Sequence, residues 1–595
     1  MNKKIPVLLL VLCISSLSCS ENIVRTTDKK QPPVATEQET EATGPDAGLY
    51  GEAAAEGKTA ADEEAADLAV ADALHHNQMP QPQAHKAVGV RTESGYAAPA
   101  QAEYHHFMPS RPVAPSYPPG PTGQWNRESY DAVEENRFIN SMNDPLSTFS
   151  IDVDTASYAN IRRFISQGHL PPQGAVRTEE MINYFTYRYP EPGQNHPFSV
   201  HTEIGQSPFH RDYQLVKIGL KARDLPTEKL PPSNLTFLID VSGSMNRPNK
   251  LGLLKQSLKM LTAQLSPQDR VAMVVYAGSD RIALQPTPGS DKDVIINAID
   301  SLDSGGSTHA SSGIVTAYEL ARRSFMPGGN NRVILASDGD FNVGVTSRGE
   351  LQALIEKQRD NGIYLTVLGF GDTNYHDDTM EILADKGNGN YAYIDSLLEA
   401  KKVLIKERSS TLFALARDVK LQVEFNPAVV GAYRLIGYEN RVLQDEDFKD
   451  DSKDAGEIGL GHTVTALYEI IPAGHPDIPS VDSLKYRQPA GNGAYSTEML
   501  TVKVRYKPEG SSTSTLLTHA LQNESKSMAQ TSADFRFAAT VAGFAMLLKD
   551  SDHLGSFDWN QCLVLAKQAR GEDQEGYRAE FIRLVEMAEL IHNQG

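Results

Sequence analysis

Leu238-Ile239-Asp240-Val241-Ser242-Gly243-Ser244-Met245 decides how this chain is read. An apolar run, Leu235-Thr236-Phe237-Leu238-Ile239, ends in a carboxylate, and hydroxyls follow at every second position. Two later pieces carry matching chemistry: Gly305-Gly306-Ser307-Thr308, and Val333-Ile334-Leu335-Ala336-Ser337-Asp338-Gly339. Mg²⁺ takes oxygen ligands in near-octahedral geometry and gives up water reluctantly. Ser242, Ser244 and Thr308 offer neutral hydroxyl oxygens, with Ser307 as the alternative to Thr308. Asp240 and Asp338 add negative charge, directly or through water. A cation held mainly by neutral oxygens keeps positive charge and an open position that an Asp or Glu of another protein can fill. Taken alone, Asp-x-Ser-x-Ser is equally a turn or a helix cap.

The pattern around these pieces gives them a place to meet. Strands are expected at Leu235–Val241, Arg270–Tyr276, Arg281–Gln285, Arg332–Ser337, Ile363–Phe370 and Tyr391–Ile394. Between them, helical spacing runs over Lys250–Leu265, Asp291–Leu302, Ser311–Ser324, Arg348–Asn361, Asp377–Lys386 and Leu397–Arg408. Continuous apolar strands separated by helices predict a mostly parallel sheet covered on both faces. The one short β-β step, Arg270–Tyr276 into Arg281–Gln285, suits an antiparallel edge. In such a doubly wound α/β sheet, ligands bind beyond the carboxyl ends of the strands at a topological switch point. Asp240 and Asp338 both follow apolar strands and so belong on that rim.

In order and chemistry, the three pieces resemble the metal-ion-dependent adhesion site of von Willebrand factor type A (vWA) domains. Where many relatives have Gly-Gly-Thr, this chain reads Gly306-Ser307-Thr308. Three further stretches resemble a family of bacterial envelope vWA proteins: Glu135-Asn-Arg-Phe138 with Asp144-Pro-Leu-Ser-Thr-Phe-Ser-Ile-Asp152-Val-Asp154-Thr-Ala-Ser-Tyr158, then Asp338-Gly-Asp340-Phe-Asn-Val-Gly344, and Asp534-Phe-Arg-Phe-Ala-Ala-Thr-Val-Ala-Gly-Phe544. The resemblance covers about 130–595. It implies a Rossmann-like vWA domain, Mg²⁺ (or Mn²⁺ or Ca²⁺) held by Asp240, Ser242, Ser244, Thr308 and Asp338, and metal-dependent binding at the cell envelope. A protein partner presenting an acidic side chain would be read by rim residues His309, Phe341, Asn342, Asp372, Tyr375, His376 and Asp377.

The ends of the chain have a different character. Lys3 and Lys4, the apolar Ile5–Ile14 and Ser15-Ser16-Leu17-Ser18-Cys19 read as a signal peptide. The last five resemble a bacterial lipobox, with Ser16 in place of the usual Leu, which implies lipidation of Cys19 and a membrane anchor, periplasmic or surface-facing. Residues 20–128 are poor in bulky aliphatics and rich in Ala, Glu, Gln and Pro, which predicts a disordered tether. Its His75-His76 and His105-His106 pairs, and the P-loop-like Gly51–Thr59 with one residue too many, are read as linker.

Segment 129–230 is expected to combine helices with strands, 231–410 to be the vWA domain, 411–515 to be β-rich, and 516–595 to be helical. Strands expected at Phe198–Ile204, Tyr213–Ala222, Asp418–Phe425, Ala432–Tyr438, His462–Ile471 and Met499–Tyr506 suggest that 145–228 and 412–510 form one split β domain. Asp152 and Asp154 are read as a helix start, and Ser532 or Asp534 as the cap of a helix with Phe537, Val541, Phe544 and Leu548 on one stripe.

Composition narrows the function classes. The 595 residues carry 56 Lys and Arg against 76 Asp and Glu, a formal charge of -20, which opposes nucleic-acid binding. Of three cysteines, only Cys562 lies beyond the signal segment, and its apolar setting suggests a small buried hydrophobe. No zinc-type His/Cys cluster, nucleophile elbow or small-molecule substrate site is evident, so a binding protein rather than an enzyme is expected. A metal-assisted hydrolase with Asp338 or His309 as base, and a helper subunit of an ATPase, are the alternatives.

Overall fold

The computed structural model describes residues 130, 134–151, 154–305, 310–339, 348–371, 377–453, 455–479, 497–508 and 510–594. The expected signal segment with Cys19, the expected tether with its His pairs, and the P-loop-like run lie outside them. In chain order, the strands are β1 Ile139–Asn140, β2 Leu146–Ser150, β3 Phe198–Gln206, β4 Gln214–Ala222, β5 Ser233–Asp240, β6 Arg270–Tyr276, β7 Asp280–Pro288 and β8 Asn330–Ser337. They continue as β9 Tyr364–Phe370, β10 Tyr391–Ile394, β11 Ala414–Phe425, β12 Val430–Ile436, β13 Ile458–Gly459, β14 Thr463–Pro472, β15 Glu498–Pro508 and β16 Thr515–Gln522.

A six-stranded sheet has the order β10-β9-β8-β5-β6-β7, parallel except for the antiparallel edge pair β6–β7. Its strands are apolar throughout because both faces are covered. Leu235, Phe237 and Ile239 of β5 pack into one core with Leu254, Leu258 and Leu261 of helix Leu253–Gln264 and Ile295 and Ile299 of helix Lys292–Asp300. Leu238 points the other way, toward Ile314 and Tyr318 of helix Ala310–Arg323 and Leu351 and Ile355 of helix Arg348–Asp360. Each such side chain contributes about 1.5–3 kcal/mol on burial. From β5 the chain passes to β6 on one side and later returns to β8 on the other. The carboxyl ends of β5 and β8 therefore flank the switch point.

Strands from before and after this α/β segment share two further sheets, β1-β12-β14-β4-β3 and β13-β11-β15-β16, with β2 also on β11. β4 pairs with β14 from Thr463↔Lys221 to Ile470↔Gln214, and β2 with β11 from Lys420↔Ser150 to Glu424↔Leu146. The sheets face each other through Val216, Ile218 and Leu220 on one and Leu421, Val423, Val502 and Val504 on the other. Leu215 and Leu467 on the opposite face meet Phe537, Phe544 and Val585 of a helical layer. Its helices are Ala533–Lys549, Trp559–Ala569 and Tyr577–His592. Ser532 caps the first, its Oγ accepting from the Phe535 N–H at 3.0 Å. Cys562 is buried in the second. Among the described residues, no helix is long and apolar enough to cross a membrane.

Three details depart from the sequence reading. The span 516–595 is not helical from its start: Thr515–Gln522 is strand β16, an edge strand on β15. Its Leu, Ala and Gln content suits a helix, but pairing with β15 overrides that weak local preference. Asp154 is not a helix cap; its Oδ1 accepts from the Tyr391 N–H at 2.8 Å, and the neighbouring N-cap residue Thr155 makes no side-chain cap bond. Asp152 is not among the described residues. Finally, the helix expected over Leu397–Arg408 is Leu397–Lys401, a π-helical turn Lys402–Lys406, and Arg408–Leu412.

Candidate metal centre

β5 delivers Asp240 to the rim fully buried, with Ser242 buried beside it. The chain then turns on itself: the Ser242 N–H donates to Asp240 Oδ1 at 2.8 Å, and Gly243–Met245 forms a short 3-10 turn. Met245 is completely buried and anchors that turn from below. The turn places Ser242 Oγ and Ser244 Oγ 2.9 Å apart. From the neighbouring strand, Ser337 Oγ donates to Asp240 Oδ2 at 3.3 Å, and the Gly339 N–H donates to Ser337 Oγ at 3.3 Å. The Gly339 φ of +94° lets the chain leave β8 sharply just after Asp338. Gly305 is tied to the same place, its N–H donating to the Val241 carbonyl at 2.8 Å.

Asp240, Ser242, Ser244 and Asp338 are thus gathered at the switch point. Thr308, its alternative Ser307, and the rim residues His309, Phe341, Asn342, Asp372, Tyr375 and His376 lie outside the described residues. Asp377 opens helix Asp377–Lys386.

Burial pushes the Asp240 carboxyl up to about 6, against the two hydrogen bonds from Ser242, and the charge of Asp338 pushes the same way. The Tyr276 phenol, whose residue pairs with Asp240 across β5 and β6, is driven well above its ordinary range by burial first and by the Asp240 charge second. Burial favours the neutral form of such a carboxyl, and a positive charge brought close to it favours the ionised one. The donors are all oxygens, two of them hydroxyls in mutual contact, which fits a hard divalent cation of the Mg²⁺ type.

Sequence reading missed one residue here. Lys250, in the π-helical turn Pro248–Gly252, donates from Nζ to Asp338 Oδ2 at 2.8 Å, with both side chains 1% exposed. Its stem runs past Gly371, where a Cβ would fall 2.1 Å from Lys250 Cε. Within Arg247-Pro248-Asn249-Lys250-Leu251, nothing marks this lysine as buried; it reads as the first turn of an amphipathic helix.

With this geometry in view, the likenesses to known proteins become specific. The von Willebrand factor type A domain model matches residues 234–406, a von Willebrand factor model matches 124–217, and a model described as uncharacterized protein YfbK, C-terminal, matches 410–591. "Uncharacterized protein YfbK" of Escherichia coli (strain K12) is 43% identical over 471 residues, which is 78% of this chain and 81% of that one. The chain belongs to the YfbK family. Within it, the α/β segment is a vWA domain. A UPF0353 protein of Mycolicibacterium paratuberculosis (strain ATCC BAA-968 / K-10) is 26% identical over 193 residues, 28% of this chain and 57% of its own length. The solved structure of von Willebrand factor type A from Catenulispora acidiphila shares 15% identity, covering 64% of this chain and 88% of its own, with a TM-score of 0.35.

Proposed function

We propose that this chain is a lipid-anchored binding module of the bacterial envelope that captures a protein partner through a divalent cation at its vWA site. Asp240, Ser242, Ser244 and Asp338 would hold the ion together with Thr308, and Cys19 would carry the anchor. The bound metal would supply an electrophilic, open coordination position. An Asp or Glu of the partner fits that position, and the rim residues His309, Phe341, Asn342, Asp372, Tyr375, His376 and Asp377 would set which partner is accepted.

One observation carries this reading: a fully buried Asp240 shares the switch point with the touching hydroxyls of Ser242 and Ser244. A turn or cap explains neither the burial nor the convergence of Asp338 from another strand. Binding is also favoured over hydrolysis, because Asp338, a nominee for general base, is engaged by the Lys250 ammonium.

The test is capture of cross-linked partners from intact cells, with Mg²⁺ or Mn²⁺ against EDTA and with Asp240→Ala as control. Capture should require metal and disappear in Asp240→Ala. Equal recovery in EDTA would overturn the proposal. Labelling with a fatty-acid analogue, lost in Cys19→Ala, tests the anchor.

A further inference from the structure

Helices Trp559–Ala569 and Tyr577–His592 bury one face of the hairpin they form and leave the other to solvent. Cys562, Ala566 and Ala569 of the first, with Phe581, Leu584 and Val585 of the second, enter the core. On the outward face, Val564, Met587 and Leu590 are 44%, 39% and 61% exposed. A cleft of about 640 Å³ opens between the same two helices, lined by Lys567, Arg570, Gly571, Ala579, Ile582 and Arg583. We propose that this face docks on a bilayer of anionic phospholipid, the cleft taking a headgroup phosphate and the apolar side chains entering the acyl boundary. The proposal goes beyond the vWA site and needs neither its metal nor its partner.

Spacing and pairing bring the two features together. Arg583, Met587 and Leu590 follow at i, i+4 and i+7, on one face of their helix. Lys567 Nζ meets Glu586 at 2.8 Å, and the Trp559 ring lies 5.4 Å from that of His592. The helices are therefore antiparallel, in a register that sets Arg570 near Arg583 and Val564 near Leu590. The outward face thus runs from cations at the connecting loop to apolar side chains at the far end. Basic residues beside exposed apolar ones are the make-up of helices that lie in a membrane interface.

The charges that matter are the available ones. Among the described residues, the Arg570 and Arg583 side chains have no hydrogen-bond or ion-pair partner. The acids of the connecting loop are engaged: Glu572 by Arg188 at 3.3 Å, Glu575 by Lys401 and Lys406 at 3.3 and 2.7 Å, and Asp573 by the N–H groups of Arg578 and Ala579 at 3.2 and 2.8 Å. Glu589 has no such partner but lies further along its helix than the cleft. Guanidinium groups suit a phosphate, which they bind bidentately. The chain's formal charge of -20 opposes an anionic surface, but charges more than about 8–10 Å away are screened at moderate salt, so the docking face decides. The apolar neighbours favour a lipid surface over a free phosphate, which gains nothing from them.

The test uses the full chain carrying Cys19→Ala, so that no acyl group contributes, and vesicles read by co-sedimentation. Vesicles of phosphatidylcholine mixed equally with phosphatidylglycerol should bind it more tightly than phosphatidylcholine alone, and less so as salt rises. Arg570→Gln with Arg583→Gln should weaken binding to the mixed vesicles about thirtyfold, at about fivefold per basic residue. Arg281→Gln with Lys449→Gln removes two exposed cations elsewhere and should leave binding unchanged. Met587→Ser with Leu590→Ser should weaken binding to both kinds of vesicle. The N-terminal apolar segment is common to all these proteins and cancels in the comparison. Equal binding by a folded Arg570→Gln, Arg583→Gln protein overturns the proposal. Equal binding to the two kinds of vesicle, or no binding to either, overturns it without any variant of the face. Capture of inorganic phosphate without vesicle binding would make the cleft a site for a free anion, and self-association lost in Leu590→Ser would make the face an interface between copies; each replaces the proposal.

Discussion

Arg162 shows what single side chains do in this molecule. It lies in helix Ala156–Ser166 and is almost buried, yet its guanidinium bonds Asp395 at 2.6 and 2.7 Å, Glu399 at 2.7 Å and Glu580 at 2.8 Å. Tyr184 accepts a further bond at 3.0 Å. Burial raises the Glu399 carboxyl, and Arg162 is the nearest charge opposing that rise. Removing the guanidinium takes from the fully buried Glu399 its ion-pair partner and leaves it the Tyr184 hydroxyl at 2.8 Å, so Arg162→Met should lower unfolding free energy by about 3 kcal/mol. Urea unfolding checks this; a loss within error of zero would mean the carboxylates find other partners. Neither the Arg162 cluster nor the Lys250–Asp338 pair was legible beforehand. Buried ion pairs join residues far apart in sequence, and no local pattern separates such an arginine or lysine from a solvated one.

Strands β4 and β14 carry the argument at the level of elements. Glu469 of β14 is 0% exposed, with Oε1 accepting from Ser207 Oγ at 2.8 Å and lying 3.0 Å from His210 Nδ1. Its Oε2 pairs with Arg434 at 3.1 Å. Burial alone would raise this carboxyl, but the His210 contact, the Arg434 charge and the Ser207 hydroxyl outweigh it, and the group is held below its ordinary 4.5. A depressed carboxylate stabilises the fold above the unfolded-state value and loses that contribution as pH falls through the folded one. Stability should therefore fall with pH below about 4.5, and Glu469→Gln should flatten that fall. Denaturant midpoints from pH 7 down to pH 3 decide it; identical slopes in both proteins would sink it. On β4, a Cβ at Gly219 would meet Tyr189 Cζ at 2.1 Å. Tyr189 is in turn bonded to Thr465 of β14 at 2.9 Å. Overpacking there predicts that Gly219→Ala costs about 1–3 kcal/mol, measurable as a lowered denaturant midpoint. The strands themselves were readable, since Val216, Ile218 and Leu220 alternate toward one core. β16 was not, because an exposed edge strand buries too little to impose alternation.

Across the whole molecule, the vWA sheet draws all six of its strands from Ser233 to Ile394, whereas the two other sheets need strands from both sides of it. The segment 412–510 lacks β1, β2, β3, β4 and β16; without β2 and β4, β11 and β14 would present bare edges, and β15 would lose β16. Expressed alone, 412–510 should show no cooperative unfolding and should gain β signal by circular dichroism when 134–228 is supplied. A stable, cooperative 412–510 would rule the split domain out. The vWA segment is not wholly independent either: Ala156 and Ala159 of helix Ala156–Ser166 belong to one of its cores. Arg441, between β12 and β13, reaches back to it through Glu381 at 3.1 Å and Asp385 at 2.8 Å.

Residue order was enough for the α/β alternation, the antiparallel edge strand and the placing of Asp240 and Asp338 at strand ends. Hydrophobic period and ligand chemistry are local properties, written within a few residues of each other. The way in which strands on either side of the vWA segment share sheets, and the 88-residue step from Lys250 to Asp338, were settled only by folding. Those contacts answer to packing and to the cost of an unpaired buried charge, which depend on what surrounds a residue in space.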